Sequence, residues 1–361
     1  MDSIEMKRYI PFYPLFVFLR QSMFMGGISF RRIPMFVVYF LRFMLMEPLR
    51  MVEVLLFEQR IRKHELKEDP IFILGHWRSG TSHLQNLLHQ DANFSTMTLY
   101  RMLFSDHFIW TESWLNPLLN RISKTFGIRY SFQRTTLDFN LSGEFDTALC
   151  SMGSSHSYTW AHLFPKQYKR WMNKQVFADG NTLDLSDYNY LIRKLSWQSK
   201  GKRIIVKSPG DTARIQALLN DYPNATFIYI SRDSYDVYHS SMYLWESIQR
   251  ENSLQHLTKE EISELVLWTY PLVMKNYEEG KSFIPEGQLF EIAFEELHKH
   301  TEDILRNAYQ YLSLGAFHPE DFAAFLLKNK THQKASYSKD VDLVQKLKEH
   351  WGSYYCERSI H

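Results

Sequence analysis

The chain has 361 residues, 45% of them hydrophobic and 23% charged, the make-up of an ordinary globular protein, which excludes disordered and fibrous classes. At about 150 residues per domain, the length fits two domains or one large α/β domain with an appendage. Lys+Arg 42 against Asp+Glu 40 leaves +2, too balanced for nucleic-acid binding through overall charge, and two cysteines, Cys150 and Cys356, are too few for a disulfide framework or a CxxC metal site.

From Lys7 to Arg50 the chain carries seven basic residues (Lys7, Arg8, Arg20, Arg31, Arg32, Arg42, Arg50) and one acid, Glu47, set among apolar runs such as Phe12–Leu19 and Met35–Leu41. The longest uncharged stretch, Tyr9–Leu19, holds Pro11 and Pro14 and falls well short of the roughly 20 apolar residues of a spanning helix. Asp2 and Glu5 precede the basic pair and no small-residue cleavage site follows, so no secretory signal is predicted. The composition suits a segment lying among lipid headgroups, arginines turned outward and rings sunk below. A helical layer packed on the following domain, arginines on its wet face, fits the same residues.

Charge density rises at Arg60–Asp69 and marks a boundary, so residues 1–65 are expected as a basic, aromatic helical segment and 66–361 as the main domain. Short β-branched or aromatic runs follow at Ile71–Leu74, Arg203–Val206, Thr226–Ile230 and Leu289–Ile292. Helical patterns separate them at Ser82–His89, Thr212–Leu219, Tyr235–Ser247 and Glu260–Tyr277. Alternation of this kind predicts an α/β fold, a parallel sheet covered on both faces. The C-terminal part, His300–Leu312, Pro319–Leu327 and Val341–Glu349, reads as helical.

The segment IFILGHWRSGTSHL from Ile71 is a buried strand, a glycine-bounded turn and a helix start. Gly75 and Gly80 have phosphate-loop spacing, GxxxxG. Backbone N–H groups in such a turn converge on one spot, and the helix N-terminus adds partial positive charge. Thr81 and Ser82 supply hydroxyls to the same oxygens. A plain strand–turn–helix corner is the simpler alternative. Thr81 stands where a nucleotide kinase needs lysine, and the basic residue, Arg78, sits inside the loop, which argues against a magnesium-bound triphosphate.

A second strand ends in Ser231-Arg232-Asp233 and leads into a helix containing Ser240. Arginine at a strand end can hold a phosphate through a bidentate pair, and Ser240 lies about two turns on. Two anion sites on one sheet edge suggest a nucleotide with phosphate at both ends. Lys207 closes the run Arg203–Val206 before Ser208-Pro209, either as a solvated strand terminus or as a cation aimed at the reacting group.

These motifs resemble those of sulfotransferases that use 3′-phosphoadenylyl sulfate (PAPS), in particular a bacterial branch reading GHWRSGT, LKSP and RD-x-x-x-V-x-x-S. The likeness runs from Ile71 to about Ser247, and less clearly to Leu297, where Phe290–Leu297 is similar to the family's "YEDL" strand. It implies a P-loop-like parallel sheet of about five strands flanked by helices, with helical N- and C-terminal additions. It also implies that Arg78, Ser79, Gly80, Thr81 and Ser82 grip the 5′-phosphosulfate. Arg232 and Ser240 would hold the 3′-phosphate, and Lys207 would stabilise the sulfuryl group in transit. Two departures stand out: Ser234 replaces a usual proline, and Ser208-Pro209-Gly210-Asp211 lacks the histidine of the family's SPPH.

Sulfuryl transfer, like phosphoryl transfer, relies on cations and loop amides, with Arg78 and Lys207 in those roles and no metal required. The acceptor hydroxyl still needs a base within hydrogen-bond reach. Five candidates follow the loop: Asp106, His107, Glu144, Asp146 and Asp211. His107 and Glu144 rank first, His107 for a pKa near working pH and Glu144 for its apolar surroundings. Glu144 and Asp146, in GEFDTALC, resemble an acidic pair of the bacterial branch, and residues two apart on a helix point to different faces.

Aromatic stretches at Phe104–Trp110, Trp114–Leu119 and Tyr158–Phe164 suit an apolar alcohol, a steroid or lipid, better than a glycan. The expected protein takes a small hydrophobic acceptor and no nucleic acid; because the activated donor is made in the cytoplasm and no secretory signal is predicted, it is expected there, peripheral on the membrane face through residues 7–50. A glycan- or glycolipid-directed sulfotransferase, an ATP-dependent small-molecule kinase and a membrane-bound scaffold with an inactive nucleotide fold are the alternatives.

Overall fold

The computed structural model describes residues 7–130, 135–329 and 337–358. Five parallel strands form the central sheet: β1 (Ile71–Leu74), β2 (Phe94–Thr96), β3 (Arg203–Lys207), β4 (Thr226–Ser231) and β5 (Leu289–Ala293), in the order β2-β3-β1-β4-β5. Each of the four expected runs is a strand, three of them one residue longer than their apolar core, because pairing continues past the last hydrophobic side chain. Strand alternation splits the side chains between two cores. Phe72, Leu74, Val206 and Phe227 face one, while Ile71, Ile73, Ile205 and Ile228 face the other.

Chain direction across the sheet reverses at β1, since β1 leads to β2 on one side while β3 crosses to β4 on the other. Open parallel sheets bind ligands in the crevice at such a reversal, beyond the carboxyl ends of the strands. Register sets Ile73 beside Lys207, so the loop after β1 and the lysine ending β3 share that crevice.

Two helices precede the sheet, α1 (Tyr13–Phe24) and α2 (Ile33–Arg62). Among the described residues no helix is long and apolar enough to cross a membrane. Leu15, Val17 and Phe18 of α1 and Phe43 of α2 join a core with Trp160, Phe164 and Trp245, so this segment packs on the rest of the chain. Arg20, Arg31 and Arg60 lie on its wet face, but large apolar side chains make up most of that face.

Further helices used below are α3 (Thr81–Leu88), α4 (Phe145–Ser151), α5 (Ser234–Glu251) and α6 (Lys259–Lys281). α6 starts at a capping box in which the Thr258 hydroxyl accepts from Glu261 N–H and the Glu261 carboxylate accepts from Thr258 N–H. The expected helix from Thr212 begins later, at Ile215, because Pro209–Ala213 forms a tight 3₁₀ turn. The C-terminal helix Val341–Trp351 lies on α6, with Trp351 stacked on Tyr270 at 4.0 Å.

Candidate active site

β1 is wholly buried and delivers the chain to Gly75 at φ +144°, a conformation that favours glycine. Space forbids a side chain there too: a Cβ would lie 2.6 Å from the Ile230 carbonyl oxygen. Gly80, at φ +108°, is tighter still, because a Cβ there would run into the ring of Phe294. α3 begins at the next residue, and its first N–H groups have no partner within the helix. Arg78 takes φ +72°, a strained value for a side-chain-bearing residue, at the crest of the turn.

The second expected anion site adjoins the first. Arg78 Nε donates to Ser240 Oγ at 2.8 Å, and Arg232 Nη1 donates to the Arg78 carbonyl at 3.2 Å. Arg232 is steadied by Asp236, one turn along α5, at 3.1 Å, while its buried Nε has no hydrogen-bond partner among the described residues. Asp233 caps α5 by accepting from Tyr235 N–H and Asp236 N–H, which brings Ser240 two turns on to the same side as the loop.

Lys207, 3% exposed, ends β3 with Nζ 3.8 Å from Glu144 Oε2. Burial pulls its pKa below the usual lysine range, and Arg78 acts in the same direction against the opposing pull of Glu144. Glu144 occupies the cap position of α4. Its Oε1 accepts from the Tyr158 hydroxyl at 2.6 Å, and that hydroxyl also pairs with Ser208 Oγ at 3.0 Å. Arg78, Gly80, Thr81, Ser82, Lys207, Glu144, Arg232 and Ser240 all line one cavity of about 790 Å³.

The profile of the sulfotransferase family matches residues 70–319, well over half of the chain. The chain belongs to the sulfotransferase family. Two curated relatives, the omega-hydroxy-beta-dihydromenaquinone-9 sulfotransferases Stf3 of Mycobacterium bovis and Mycobacterium tuberculosis, are each 28% identical over 303 residues, covering 82% of this chain and 77% of theirs. Among solved structures, the sulfotransferase STF9 from Mycobacterium avium superposes with a TM-score of 0.67 at 18% identity, covering 85% of this chain and 81% of that one. The sulfotransferase STF1 from Mycobacterium tuberculosis H37Rv gives 0.67 at 16% identity, covering 94% and 91%. At those identities the likeness concerns the fold.

Not every residue anticipated for this sulfotransferase's site reaches the cavity. His107, ranked first as a base, does not line it. Its ring is wholly buried, with Nδ1 against Thr111 Oγ1 at 3.1 Å and Nε2 3.7 Å from Asp106, and burial lowers its pKa. Asp106 borders a separate small cleft beside Arg50 and Glu53. Asp146 is fully buried and accepts from Ser157 Oγ at 2.6 Å and from Thr159 N–H and Oγ1, each at 2.9 Å. Asp211 accepts from Tyr188 at 2.5 Å and lies 3.5 Å from Arg214; burial pushes it up to about 6. Of the five candidate bases, Glu144 alone lines the cavity. Ser79 also turns away: its buried hydroxyl borders a second cavity behind the loop.

Several lining residues carried no sequence signal of their own. The rings of His83 and Phe294 lie 6.2 Å apart and those of His83 and Phe325 6.0 Å, an aromatic wall beside Arg232, whose guanidinium sits 4.9 Å over Phe294. His83 follows the loop motif and Phe294 lies within the YEDL-like stretch, but neither motif singles out these rings. Away from the loop the lining turns apolar, with Phe18, Phe43, Leu103, Trp160, Leu163 and Ile248. Tyr158 was visible only as part of an aromatic stretch, since its role depends on Glu144 and Ser208 arriving from elsewhere.

Proposed function

We propose that this sulfotransferase moves a sulfuryl group from PAPS to the hydroxyl of a hydrophobic acceptor, a lipid alcohol in preference to a steroid. The observation that carries the reading is a single cavity with two adjoining cation-and-hydroxyl sites at one end and an apolar lining at the other. The loop amides with Arg78, Thr81 and Ser82 suit the phosphosulfate end of the donor, and Arg232 with Ser240 suits its 3′-phosphate. Arg232 Nε, unpaired among the described residues, is a donor still to be satisfied, as an oxyanion would do. The aromatic wall of His83, Phe294 and Phe325 offers a surface for a planar base to pack against.

The donor brings a sulfuryl group already activated by its bond to phosphate. Glu144 Oε2 takes the proton of the acceptor hydroxyl, while Tyr158 holds Oε1 and so fixes the plane of the carboxylate. Lys207, held in the crevice by the β1–β3 register, stabilises charge developing on the leaving oxygen. The relatives named for a hydroxylated menaquinone derivative support a lipid acceptor. Residues 1–65 serve as an appended segment that contacts a membrane surface, and the sulfotransferase domain extends over 66–361, a peripheral arrangement on the cytoplasmic face.

The test is incubation with PAPS and a lipid and steroid extract, followed by mass spectrometry for an added SO₃. A sulfated lipid alcohol is expected. In parallel, adenosine 3′,5′-bisphosphate raises the thermal midpoint and ATP with magnesium does not; the reverse result removes the reading.

A further inference from the structure

α2 is built inside out. Glu47, Arg50, Glu53, Glu58 and Ile61 lie on its buried face, none more than 5% exposed. Val38, Leu41, Leu45, Val52 and Leu55 run along the opposite face at helical spacing, and Leu45 and Leu55 are 68% and 71% exposed. At 1.5 Å per residue this apolar stripe extends over roughly 25 Å. Phe16, Met23, Phe24 and Phe30 of α1 and the following turn are exposed as well. A stripe this large on a soluble surface marks a partner.

The charges identify which partner. Every acid of the described residues up to Arg62 is turned inward: Glu47 to Arg50, Glu53 to Lys194 and Glu58 to Tyr190 and Arg62. The exposed charges on α1, α2 and the turn between them are Arg20, Arg31 and Arg60, all positive. A second copy docked face to face would set arginine against arginine with no acid to answer it. An anionic lipid surface meets both the stripe and its arginines.

The inner side of the same helix forms the cavity wall, where Tyr39, Arg42 and Phe43 face the interior one helical step from Val38 and Leu41. Polar contacts from two side chains hold this stretch down. Arg42 Nη2 donates to the Leu103 carbonyl, and the Tyr39 hydroxyl donates to the Asn252 carbonyl at 3.3 Å. Leu103 and Asn252 themselves border the cavity.

We propose that the acceptor passes into the cavity from a lipid surface seated against α1 and α2, across the rim that Tyr39 and Arg42 latch, so that its chain remains in lipid while its hydroxyl reaches Glu144. The gateway rests on the lipid-alcohol reading above; the docking face does not.

The experiment uses the full chain, vesicles of two parts phosphatidylcholine to one of phosphatidylglycerol, and a pyrene-labelled sixteen-carbon alcohol. Wild type sediments with these vesicles, and the triple variant Leu41→Glu, Leu45→Glu, Leu55→Glu remains in the supernatant. These side chains are exposed, so the variant folds, as an unchanged thermal midpoint checks. Transfer of the pyrene alcohol from vesicle to protein accelerates with vesicle concentration in wild type and is at least tenfold slower in the variant. Uptake from detergent micelles stays within twofold, and Arg42→Ala transfers faster. Equal vesicle binding by wild type and variant overturns the docking face, as does a wild-type dimer that the variant dissolves. Transfer independent of vesicle concentration overturns the gateway. Failure of the functional reading looks different: vesicle binding persists while adenosine 3′,5′-bisphosphate gives no stabilisation and the pyrene alcohol is not taken up from micelles.

Discussion

Glu144 stands where a phenol and an ammonium converge, with Tyr158 on one carboxylate oxygen and Lys207 facing the other. Removing its negative charge while keeping its shape should isolate the base. Glu144→Gln is expected to lower kcat by about 10²–10⁴-fold with donor affinity within threefold. Tyr158→Phe keeps the ring and loses the hydroxyl, so a smaller fall of about tenfold in kcat is expected with KM little changed. Lys207→Ala should cost about 10²–10³-fold in kcat, the scale of losing one charge-stabilising donor. Arg232→Ala should instead weaken adenosine 3′,5′-bisphosphate binding, measured by titration calorimetry, with the main loss in affinity. An active Lys207→Ala protein, or an Arg232→Ala protein that binds the bisphosphate like wild type, contradicts these assignments.

Among the elements, α2 puts its charges where a helix ordinarily puts leucines, and its stability depends on their pairing. Glu53 accepts from Ile109 N–H at 2.8 Å and pairs with Lys194, which is 1% exposed; burial nevertheless pushes its pKa up to about 7. Lys194→Met strands that carboxylate and is expected to destabilise the fold by about 3–5 kcal/mol at pH 8. The loss should shrink toward pH 5, because protonation then removes the buried charge. Pairing the change with Glu53→Leu should recover most of the stability, as followed by urea unfolding. A Lys194→Met protein as stable as wild type at pH 8 shows that the pair does not hold α2.

For the whole molecule, acid sensitivity follows from buried histidines, of which His76 and His162 both have pKa values lowered to about 4 by burial. His76, 4% exposed in the loop after β1, donates from Nδ1 to the Trp77 backbone oxygen at 2.8 Å and has no partner at Nε2 among the described residues. Burial lowers its pKa to about 4, a shift the Trp77 contact only partly offsets. The unfolded chain therefore takes up a proton near pH 6.5 that the folded one refuses until about 4. Its stability contribution is complete above 6.5 and declines as pH falls through that window, at about 1.4 kcal/mol per pH unit. His76→Gln should reduce the slope of the urea midpoint between pH 4.5 and 6.5, with His162 supplying the rest; an unchanged slope shows that His76 contributes none of it.

Strands and loop were legible because their signals are local. A run such as Ile71–Leu74 ending at a glycine, or Arg232 eight residues before Ser240, carries its geometry in adjacent residues and in the helical repeat. The parallel sheet follows from such runs alternating with helices. Which acid lines the cavity was not local: Glu144 and Asp146 look alike in sequence, and folding sends one to Lys207 and the other to Arg214. The polarity of α2 was equally hidden. Composition announced a basic, apolar segment, but the partners that draw its acids inward, Ile109, Tyr190 and Lys194, come from distant parts of the chain. A buried charge is stable only where its counter-charge is also buried, so the direction each face of that helix takes is settled by tertiary contact.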